Sequence, residues 1–302
     1  MDKFLVLGGS GFVGTSLCER LVARAQGGGG PITIPTRHPA RAKHLQSLPT
    51  VRLKQADIFE PGRLVGLLAG HDAVVNLVAI LHGSEAEFTR VHVELPSLLA
   101  DACRASGVDR IVHVSALGAA SDAPSRYLRS KAGGEAALRA SGLDVTLLRP
   151  SVIFGARDRF LNLFARMQRV LPMMPLAGAT ARFQPVWVAD VADAIVRCLD
   201  RPSTIGQTYE CAGPRQYALR DLVQLAGRWS GHERPVIGLP DGIARLQAGL
   251  LEMLPGEPLM SRDNLDSMKV PNVASGRLPG LEQLGIVAAT LDSVAPGYLG
   301  RG

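Results

Sequence analysis

The fold is decided by residues 4–14, which read FLVLGGSGFVG. The first four form an apolar run of the kind that fills a buried parallel strand. A glycine turn follows at once, and residues 15–24 then read as a helix with Val13, Leu17 and Leu21 on one face. Strand, glycine turn and helix in this order predict a dinucleotide-binding fingerprint, although the spacing Gly-x-x-Gly-x-x-Gly differs from the commoner Gly-x-Gly-x-x-Gly.

Each glycine of this turn has a predicted role. Gly8 allows the tight turn, Gly11 lets a pyrophosphate approach the backbone, and Gly14 lets the helix pack closely on the strand. The N-terminus of the helix offers free N–H groups and a positive dipole end to the phosphates. The whole turn is therefore predicted to contact the cofactor, through Gly8, Gly9, Ser10, Gly11, Phe12, Val13 and Gly14.

Length and composition indicate an ordinary globular protein. The 302 residues suffice for one large or two smaller domains, and 46% hydrophobic with 20% charged residues is a typical balance. No apolar run approaches the ~20 residues of a membrane span. The first strand begins within three residues of Met1, which predicts no signal or transit peptide and a cytoplasmic location.

Charge and cysteine usage exclude other classes. The net charge of +6 comes from dispersed arginines with no basic run among aromatics, so nucleic-acid binding is not expected. Contact with an anionic membrane surface or an acidic protein stays open. The four cysteines are scattered, which fits a reducing compartment and predicts no metal site.

Strands and helices alternate regularly along the first half of the chain. Further strands are expected at 31–35, 51–55, 73–78, 110–115 and 145–149, with helices between them at 60–69 and 85–106. This alternation predicts an α/β fold, a Rossmann-type doubly wound parallel sheet.

The composition changes after residue 155. Helices are expected at 158–171, 190–199 and 218–230, a strand-like segment at 183–188, and a last sheet strand at 207–212. The expected architecture is a cofactor domain of residues 1–155 plus 183–212. A smaller, discontinuous C-terminal α/β domain of residues 156–182 plus 213–302 would lie on the substrate side.

The end of the second strand predicts the choice of cofactor. An acidic residue near this point would hold the ribose hydroxyls of NAD, whereas an arginine accommodates the extra phosphate of NADP. No Asp or Glu occurs between Glu19 and Asp57, and Arg37 lies where the acid is missing. Arg41 lies one helical turn further on and could join it. We expect NADP(H) over NAD(H), the alternative being that Arg37 is a solvated loop charge.

The ends of the later strands supply the other predicted cofactor contacts. Asp57 could accept from the adenine amino group or cap the following helix. The further candidates are Ile58, Val78, Ala79, Ser115, Pro150 and Ile153.

The candidate chemistry lies at Tyr127 and Lys131, which are four residues apart on one face of a helix. A cation beside a phenol stabilises the phenolate and lowers its pKa from about 10 towards neutrality, which would make Tyr127 an acid or base. Lys131 could also hold the nicotinamide ribose. Both residues are therefore candidate catalytic and cofactor-binding residues, and Ser115 is a third.

The C-terminal region has weaker patterns. Ile243, Leu246, Leu250 and Leu254 recur at helical spacing, and packing on their own domain is favoured over docking to a membrane or partner. Residues 260–279 read as polar and irregular, and the tail after 285 shows no clear pattern.

The assembled features resemble the extended branch of the short-chain dehydrogenase/reductase superfamily. The resemblance is carried by the fingerprint at Gly8, the Tyr127/Lys131 pair and the turn at Pro150. A closer similarity covers nearly the whole chain and points to the nucleotide-binding accessory subunit of mitochondrial respiratory complex I, of which bacteria carry stand-alone relatives. Its blocks are 125–131, 150–155, 158–162, 184–186 and 261–263.

The resemblance implies an atypical member of that superfamily. Active relatives use a Ser or Thr shortly after strand five to bind the substrate oxygen, and here Ser115 ends the strand while Leu117 holds the usual position. It implies an NADP(H)-bound accessory or assembly protein linked to complex I or ubiquinone metabolism, with a mainly structural cofactor and peripheral contact with the inner membrane left open. The alternative is an NAD(P)-dependent oxidoreductase, or a nucleotide-sugar epimerase or dehydratase, using Tyr127 as acid/base with Lys131 as its helper.

Overall fold

The computed structural model describes residues 1–253 and 260–300. Its strands are β1 Phe4–Leu7, β2 Ile32–Thr36, β3 Val51–Gln55, β4 Ala73–Asn76, β5 Arg110–Val114, β6 Asp144–Pro150, β7 Ile153–Phe154, β8 Met174–Leu176, β9 Arg182–Phe183, β10 Val186–Trp187, β11 Thr208–Cys211, β12 Tyr217–Ala218 and β13 Val236–Gly238. Its α-helices are α1 Phe12–Arg24, α2 Arg63–Leu68, α3 Glu85–Thr89, α4 Leu95–Ser106, α5 Arg126–Arg139, α6 Leu161–Val170, α7 Val188–Asp200, α8 Leu219–Trp229, α9 Asp241–Glu252, α10 Arg262–Ser267, α11 Leu291–Val294 and α12 Pro296–Leu299.

Seven strands form one parallel sheet in the order β11-β6-β5-β4-β1-β2-β3. The predicted doubly wound α/β fold is therefore confirmed. The chain winds outward in both directions from β1, so the strand order reverses between β1 and β4. In sheets of this kind the ligand crevice lies at that reversal, outside the carboxyl ends of the strands.

Apolar residues cover both faces of this sheet, as a parallel sheet requires. On one face, Leu17 and Leu21 of α1 pack in a cluster with Val191 and Ile195 of α7. On the other face, α2 and α4 contribute a second cluster, to which Leu64, Leu67, Leu95 and Leu99 belong. The apolar runs of the inner strands are buried because helices cover both faces of the sheet, whereas the edge strand β3 keeps three of its five residues exposed.

A third cluster forms the smaller, C-terminal part of the fold. It joins α6 and α8 with β8 and α11, through side chains such as Phe164, Met174, Leu222 and Leu291. The pairs β10–β7, β12–β9 and β13–β8 lie outside the main sheet, whereas β11 returns to that sheet beside β6. The division of the chain at residues 155, 182 and 212 stays a prediction.

Three elements differ from those expected. The helix expected from residue 60 begins only at Arg63, because Pro61 and Gly62, with a φ of +70°, precede it. The strand-like segment 183–188 divides into β9 and β10, with Pro185 between them. The helix expected over 85–106 contains a π-helical turn at Arg90–Glu94, just before Pro96, whose missing N–H leaves one backbone carbonyl without its usual partner.

Residues 260–279, expected to be irregular, contain helix α10. Ser261 caps this helix, because its Oγ accepts from the backbone N–H of Asn264. Asp263 then turns inward, and its carboxylate accepts from the backbone N–H groups of Arg126 at 2.7 Å and Tyr127 at 3.1 Å. The C-terminal segment is thereby fixed to the N-terminus of α5, where a carboxylate is favoured by the helix dipole.

The expectation that α9 packs its apolar residues on its own domain is wrong. Ile243, Leu246 and Leu250 are exposed, whereas Ala244 and Ala248 are buried. Leu254 lies outside the described residues. None of the helices within residues 1–253 and 260–300 has the length and hydropathy that a membrane span requires.

Candidate cofactor site

The predicted cofactor residues lie along one edge of the main sheet. Because all seven strands are parallel, the segments that follow their carboxyl ends share that edge. These segments are the glycine turn after β1, Arg37 after β2, Asp57 and Ile58 after β3, Val78 and Ala79 after β4, Ser115 after β5, and Pro150 to Ile153 at the end of β6.

The glycine turn is fixed by close contacts of the backbone with itself. Gly8 has a φ of +77°, and a Cβ added there would lie 3.0 Å from the carbonyl carbon of Leu77. A Cβ on Gly14 would lie 2.6 Å from the oxygen of Gly8 and closer still to Gly9. A side chain at either position would force the turn apart, so both glycines are required by the packing.

Gly11 differs from these two glycines. Its φ of −81° suits any residue, and among the described residues only the oxygen of Gly8, at 3.2 Å, lies within 4 Å of an added Cβ. A methyl group here would require the carbonyl of Gly8 to move by only a few tenths of an ångström, and the open space in front of Gly11 fits the predicted approach of a pyrophosphate. Gly11 is also the N-cap of α1, whose first turn, Phe12 to Thr15, carries no acidic side chain. The positive end of this helix is thus free to attract an anion.

The two arginines predicted to select NADP are accessible. Arg37 follows β2 directly and is exposed, and it makes no hydrogen bond or ion pair to any part of the chain that the structure describes. Arg41 is exposed in the 3-10 turn Pro39–Leu45. Both side chains are free to reach a phosphate, but their role in binding stays a prediction.

Asp57 does not cap the following helix, so that alternative is wrong. The N-cap of α2 is Gly62, five residues further on. The Oδ1 atom of Asp57 instead accepts from the backbone N–H of Phe59 at 3.0 Å, which closes a turn directly after β3.

Tyr127 lies in an apolar, aromatic environment. Its ring meets those of Phe88 and His92 edge-on, with centroids 6.1 and 5.5 Å away. Burial raises the pKa of Tyr127 to about 12, because the phenolate would lose its hydration. The expectation that Lys131 lowers this pKa towards neutrality is therefore wrong, and the phenol is a neutral proton donor at pH 7.

Lys131 directs its charge to the backbone. The Nζ atom donates to the carbonyl oxygen of Val114 at 2.8 Å, and the side chain is buried. Burial lowers the pKa of Lys131 to about 8, and the nearby carboxylate of Glu135 opposes this shift. Lys131 is therefore still largely protonated at pH 7, but its ammonium group is directed to the backbone carbonyl of Val114, and burial alone determines the raised pKa of Tyr127.

Ser115 has an unused hydroxyl group. Its Oγ is buried and has no hydrogen-bond partner within residues 1–253 and 260–300. Such unpaired buried groups are rare in folded proteins, and this hydroxyl group is open to a hydrogen bond from a ligand or a water molecule. Leu117, two residues on, is buried, so no hydroxyl group replaces the one that active relatives have at this position.

Sequence reasoning missed the role of His92. Its Nε2 accepts from the backbone N–H of Ile80 at 3.1 Å, and its Nδ1 donates to the Oγ of Ser130 at 2.8 Å. Burial and the charge of Lys131 lower the pKa of His92 to about 3, so the ring is neutral. His92 thus ties the loop after β4 to α5. His92 lies in the π-helical turn, and no pattern in the sequence predicts that turn or this role.

The glycine turn, the helix N-terminus and the orphaned hydroxyl define a nucleotide-binding protein of the Rossmann class. The profile of the NAD(P)H-binding family matches residues 8–202, and the chain belongs to this family. The predicted similarity to the complex I accessory subunit is confirmed by the relatives described next.

One relative is the NADH dehydrogenase [ubiquinone] 1 alpha subcomplex subunit 9, mitochondrial, of Rattus norvegicus. It is 35% identical over 224 residues, which cover 72% of this chain and 59% of that protein. The chain therefore spans somewhat over half the length of this relative. The ceramide reductase of Caulobacter vibrioides is 30% identical over 253 residues, covering 82% of this chain and 76% of that protein.

The fold is shared with a solved nucleoside-diphosphate-sugar epimerase from Staphylococcus aureus. The TM-score is 0.76 at 18% identity, and the match covers 99% of this chain and 100% of that one. At this identity the match shows the fold alone.

Replacement of Gly11 tests the phosphate cradle. We expect Gly11→Ala to keep the fold, because its φ suits alanine and its one close contact, the oxygen of Gly8 at 3.2 Å, needs only a small shift. It should bind NAD(P)H at least about tenfold more weakly, or ~1.4 kcal/mol, because the methyl group occupies the approach to the backbone. Gly66→Ala is the matched control, since a Cβ on Gly66 in α2 meets nothing within 4 Å. Nucleotide titration and thermal unfolding of both variants would check this. Unchanged affinity in Gly11→Ala would contradict the assignment.

The state of Tyr127 can be measured by spectrophotometric titration. In the absorbance difference between the wild type and Tyr127→Phe, we expect no tyrosinate signal below about pH 11, because burial keeps the phenol protonated. A tyrosinate signal from this residue near neutral pH would instead show that Lys131 stabilises the phenolate.

Proposed function

We propose that this protein is an NADP(H)-binding accessory or assembly factor linked to respiratory complex I or ubiquinone metabolism, in which the cofactor is mainly structural. The observation that carries the proposal is that Tyr127 and Lys131 do not form an acid–base pair. Lys131 donates to Val114, the pKa of Tyr127 is raised, and Leu117 takes the place of a catalytic hydroxyl group. The similarity to subunit 9 of NADH dehydrogenase [ubiquinone] supports the choice of respiratory complex I as the complex involved.

The proposed cofactor contacts follow the edge of the sheet. The glycine turn and the N-terminus of α1 would hold the pyrophosphate, and Arg37 would hold the extra phosphate of NADP. Asp57 and Ile58 would lie at the adenine end. Val78, Ala79, Ser115, Tyr127, Lys131, Pro150 and Ile153 would line the nicotinamide end.

A cofactor held in this way would act on stability. A ligand that binds only the folded chain raises the free energy of unfolding by RT ln(1 + [L]/Kd), about 2.7 kcal/mol at a hundredfold excess over Kd. The proposal includes the division into a cofactor domain of residues 1–155 plus 183–212 and a smaller domain of the remainder. It also includes a cytoplasmic location with peripheral contact to the inner membrane.

A second candidate function is an NAD(P)-dependent oxidoreductase, with an epimerase or dehydratase as a variant of it. The buried, unpartnered Oγ of Ser115 favours it, because this hydroxyl group could bind a substrate oxygen. In such a reaction a bound nicotinamide would supply hydride chemistry at a substrate carbonyl, and the neutral phenol of Tyr127 would donate a proton to the carbonyl oxygen. The similarity to a ceramide reductase is compatible with this alternative.

The two functions can be distinguished by identifying the nucleotide released from the freshly purified protein and by testing whether a quinone oxidises it. We expect stoichiometric NADPH that is not oxidised when a short-chain quinone is added in a single-turnover mixture. Rapid oxidation that Tyr127→Phe abolishes would overturn the accessory proposal in favour of the enzyme. A pull-down that recovers only the free protein, with no respiratory or quinone-pathway component, would count against the proposed complex.

The choice of cofactor is tested at Arg37. We expect Arg37→Asp to weaken NADP binding about ten- to a hundredfold, through loss of a charge-assisted contact of ~1.5–3 kcal/mol, with little effect on NAD. Arg52→Asp makes the same change of charge at an exposed position of β3, in register with Thr33 near the start of β2. Isothermal titration of both variants with NADP and NAD provides the measurement. Equal losses in the two variants would refute a specific phosphate contact.

A further inference from the structure

Helix α9 presents its apolar side chains to solvent. Ile243, Leu246, Leu250 and Met253, which follows its last residue, are 55, 67, 59 and 81% exposed. At about 100° per residue these four lie within about 80° of one another around the helix. The buried residues are Ala244 and Ala248 on the opposite side. This is the reverse of an ordinary surface helix, which buries its large apolar residues.

The reversed orientation is held by the charged residues of α9. Arg245 forms an ion pair with Asp266 of α10, with Nη2 and Oδ1 2.5 Å apart. Glu252 accepts from the backbone N–H of Arg262 at 2.7 Å and from its Nε at 2.8 Å. Helix α10 is in turn fixed to α5 through Asp263. The polar contacts therefore fix which face of α9 is turned outward.

Other exposed apolar residues lie on the strand that precedes α9 and on the segment that leads into its partner strand β8. Ile237 of β13 precedes the helix by four residues, and β13 pairs with β8. Val170 and Met173 stand just before β8 and are also exposed. We call the whole set the apolar patch: Val170, Met173, Ile237, Ile243, Leu246, Leu250 and Met253. The exposed apolar face of α9, four side chains along one side of the helix, is of the kind that marks an interaction site.

Basic residues adjoin the patch on the helix that ends at Val170. Residues 156–182 contain five arginines and one acid, Asp158. All five arginines are exposed, whereas Asp158 is buried, and two of them, Arg166 and Arg169, lie on α6 itself. Apolar side chains beside a surplus of exposed arginines match a lipid surface, whose acyl chains and anionic headgroups offer the complementary contacts.

We propose that the apolar patch and the arginines of α6 dock this protein on the surface of an anionic lipid bilayer. The inference rests on the peripheral membrane contact in the proposed function and assigns the residues that make it. The aliphatic side chains would enter the headgroup region, and the arginines would meet the phosphates.

Vesicle co-sedimentation of the full chain tests the proposal. We expect binding to vesicles of phosphatidylcholine mixed with phosphatidylglycerol, weaker binding to phosphatidylcholine alone, and a decrease with added salt. Leu246→Asp/Leu250→Asp should bind the mixed vesicles more than about tenfold more weakly, because it places two charges where aliphatic groups enter the lipid. Leu98→Asp/Val287→Asp is the control, since it adds the same charge at exposed apolar positions outside the patch.

A second variant tests the electrostatic part. Arg166→Gln/Arg169→Gln leaves the patch intact, and we expect several-fold weaker binding with a smaller dependence on salt. Wild-type protein that stays in the supernatant with both vesicles, or equal binding by the two aspartate variants, would overturn the proposal. So would concentration-dependent dimers that Leu246→Asp/Leu250→Asp dissociates, because the patch would then join two copies. Bound nucleotide is measured in each variant, so failure of membrane docking is distinguished from failure of the cofactor assignment.

Discussion

The contact on which the site depends is the close approach of Gly14 to the turn at Gly8 and Gly9. It holds the N-terminus of α1 at the carboxyl end of β1, beside β4, where the strand order of the sheet reverses. The helix dipole, the open space at Gly11 and the crevice of the sheet coincide only because no side chain separates the helix from the turn. The nucleotide site thus depends on Gly8 and Gly14, because a Cβ atom at either position would push the helix away from the turn.

Burial decides the chemistry at Tyr127. A lysine one helical turn away would favour the phenolate if both groups were solvated, but desolvation raises the pKa of the phenol and lowers that of Lys131. The ammonium group of Lys131 instead donates a hydrogen bond to the carbonyl oxygen of Val114. The same pair of residues can therefore line a cofactor site without forming an acid–base couple, and the residue two positions after Ser115 is a buried leucine, Leu117.

The C-terminal segment links two parts of the molecule that are remote in sequence. Asp263 caps α5 directly at Tyr127, and the ion pairs of α10 determine which face of α9 meets solvent. One short helix therefore stabilises the helix of the candidate site and orients the apolar patch. These two contacts of α10, with α5 and with α9, account for the two buried or half-buried carboxylates, Asp263 and Asp266, in a segment with little regular pattern.

The sequence by itself determined the parallel sheet, the order of its strands and helices, and the family relationship. These rest on local signals, namely apolar runs, the glycine turn and the spacing of Tyr127 and Lys131, which keep their meaning wherever the segments pack. The positions of Arg37 and Ser115 at the edge of the sheet follow from the same reasoning, because the ends of parallel strands share an edge.

Only the tertiary structure decided the pKa of Tyr127, the capping of α5 by Asp263 and the outward face of α9. Each depends on groups far apart along the chain: the hydrogen bond from Tyr127 to Asp263 joins residues 136 positions apart. Helical spacing places Ile243, Leu246 and Leu250 on one face, but it does not say whether protein or solvent lies against that face. That depends on the ion pairs of Arg245 and Glu252, which no local pattern encodes.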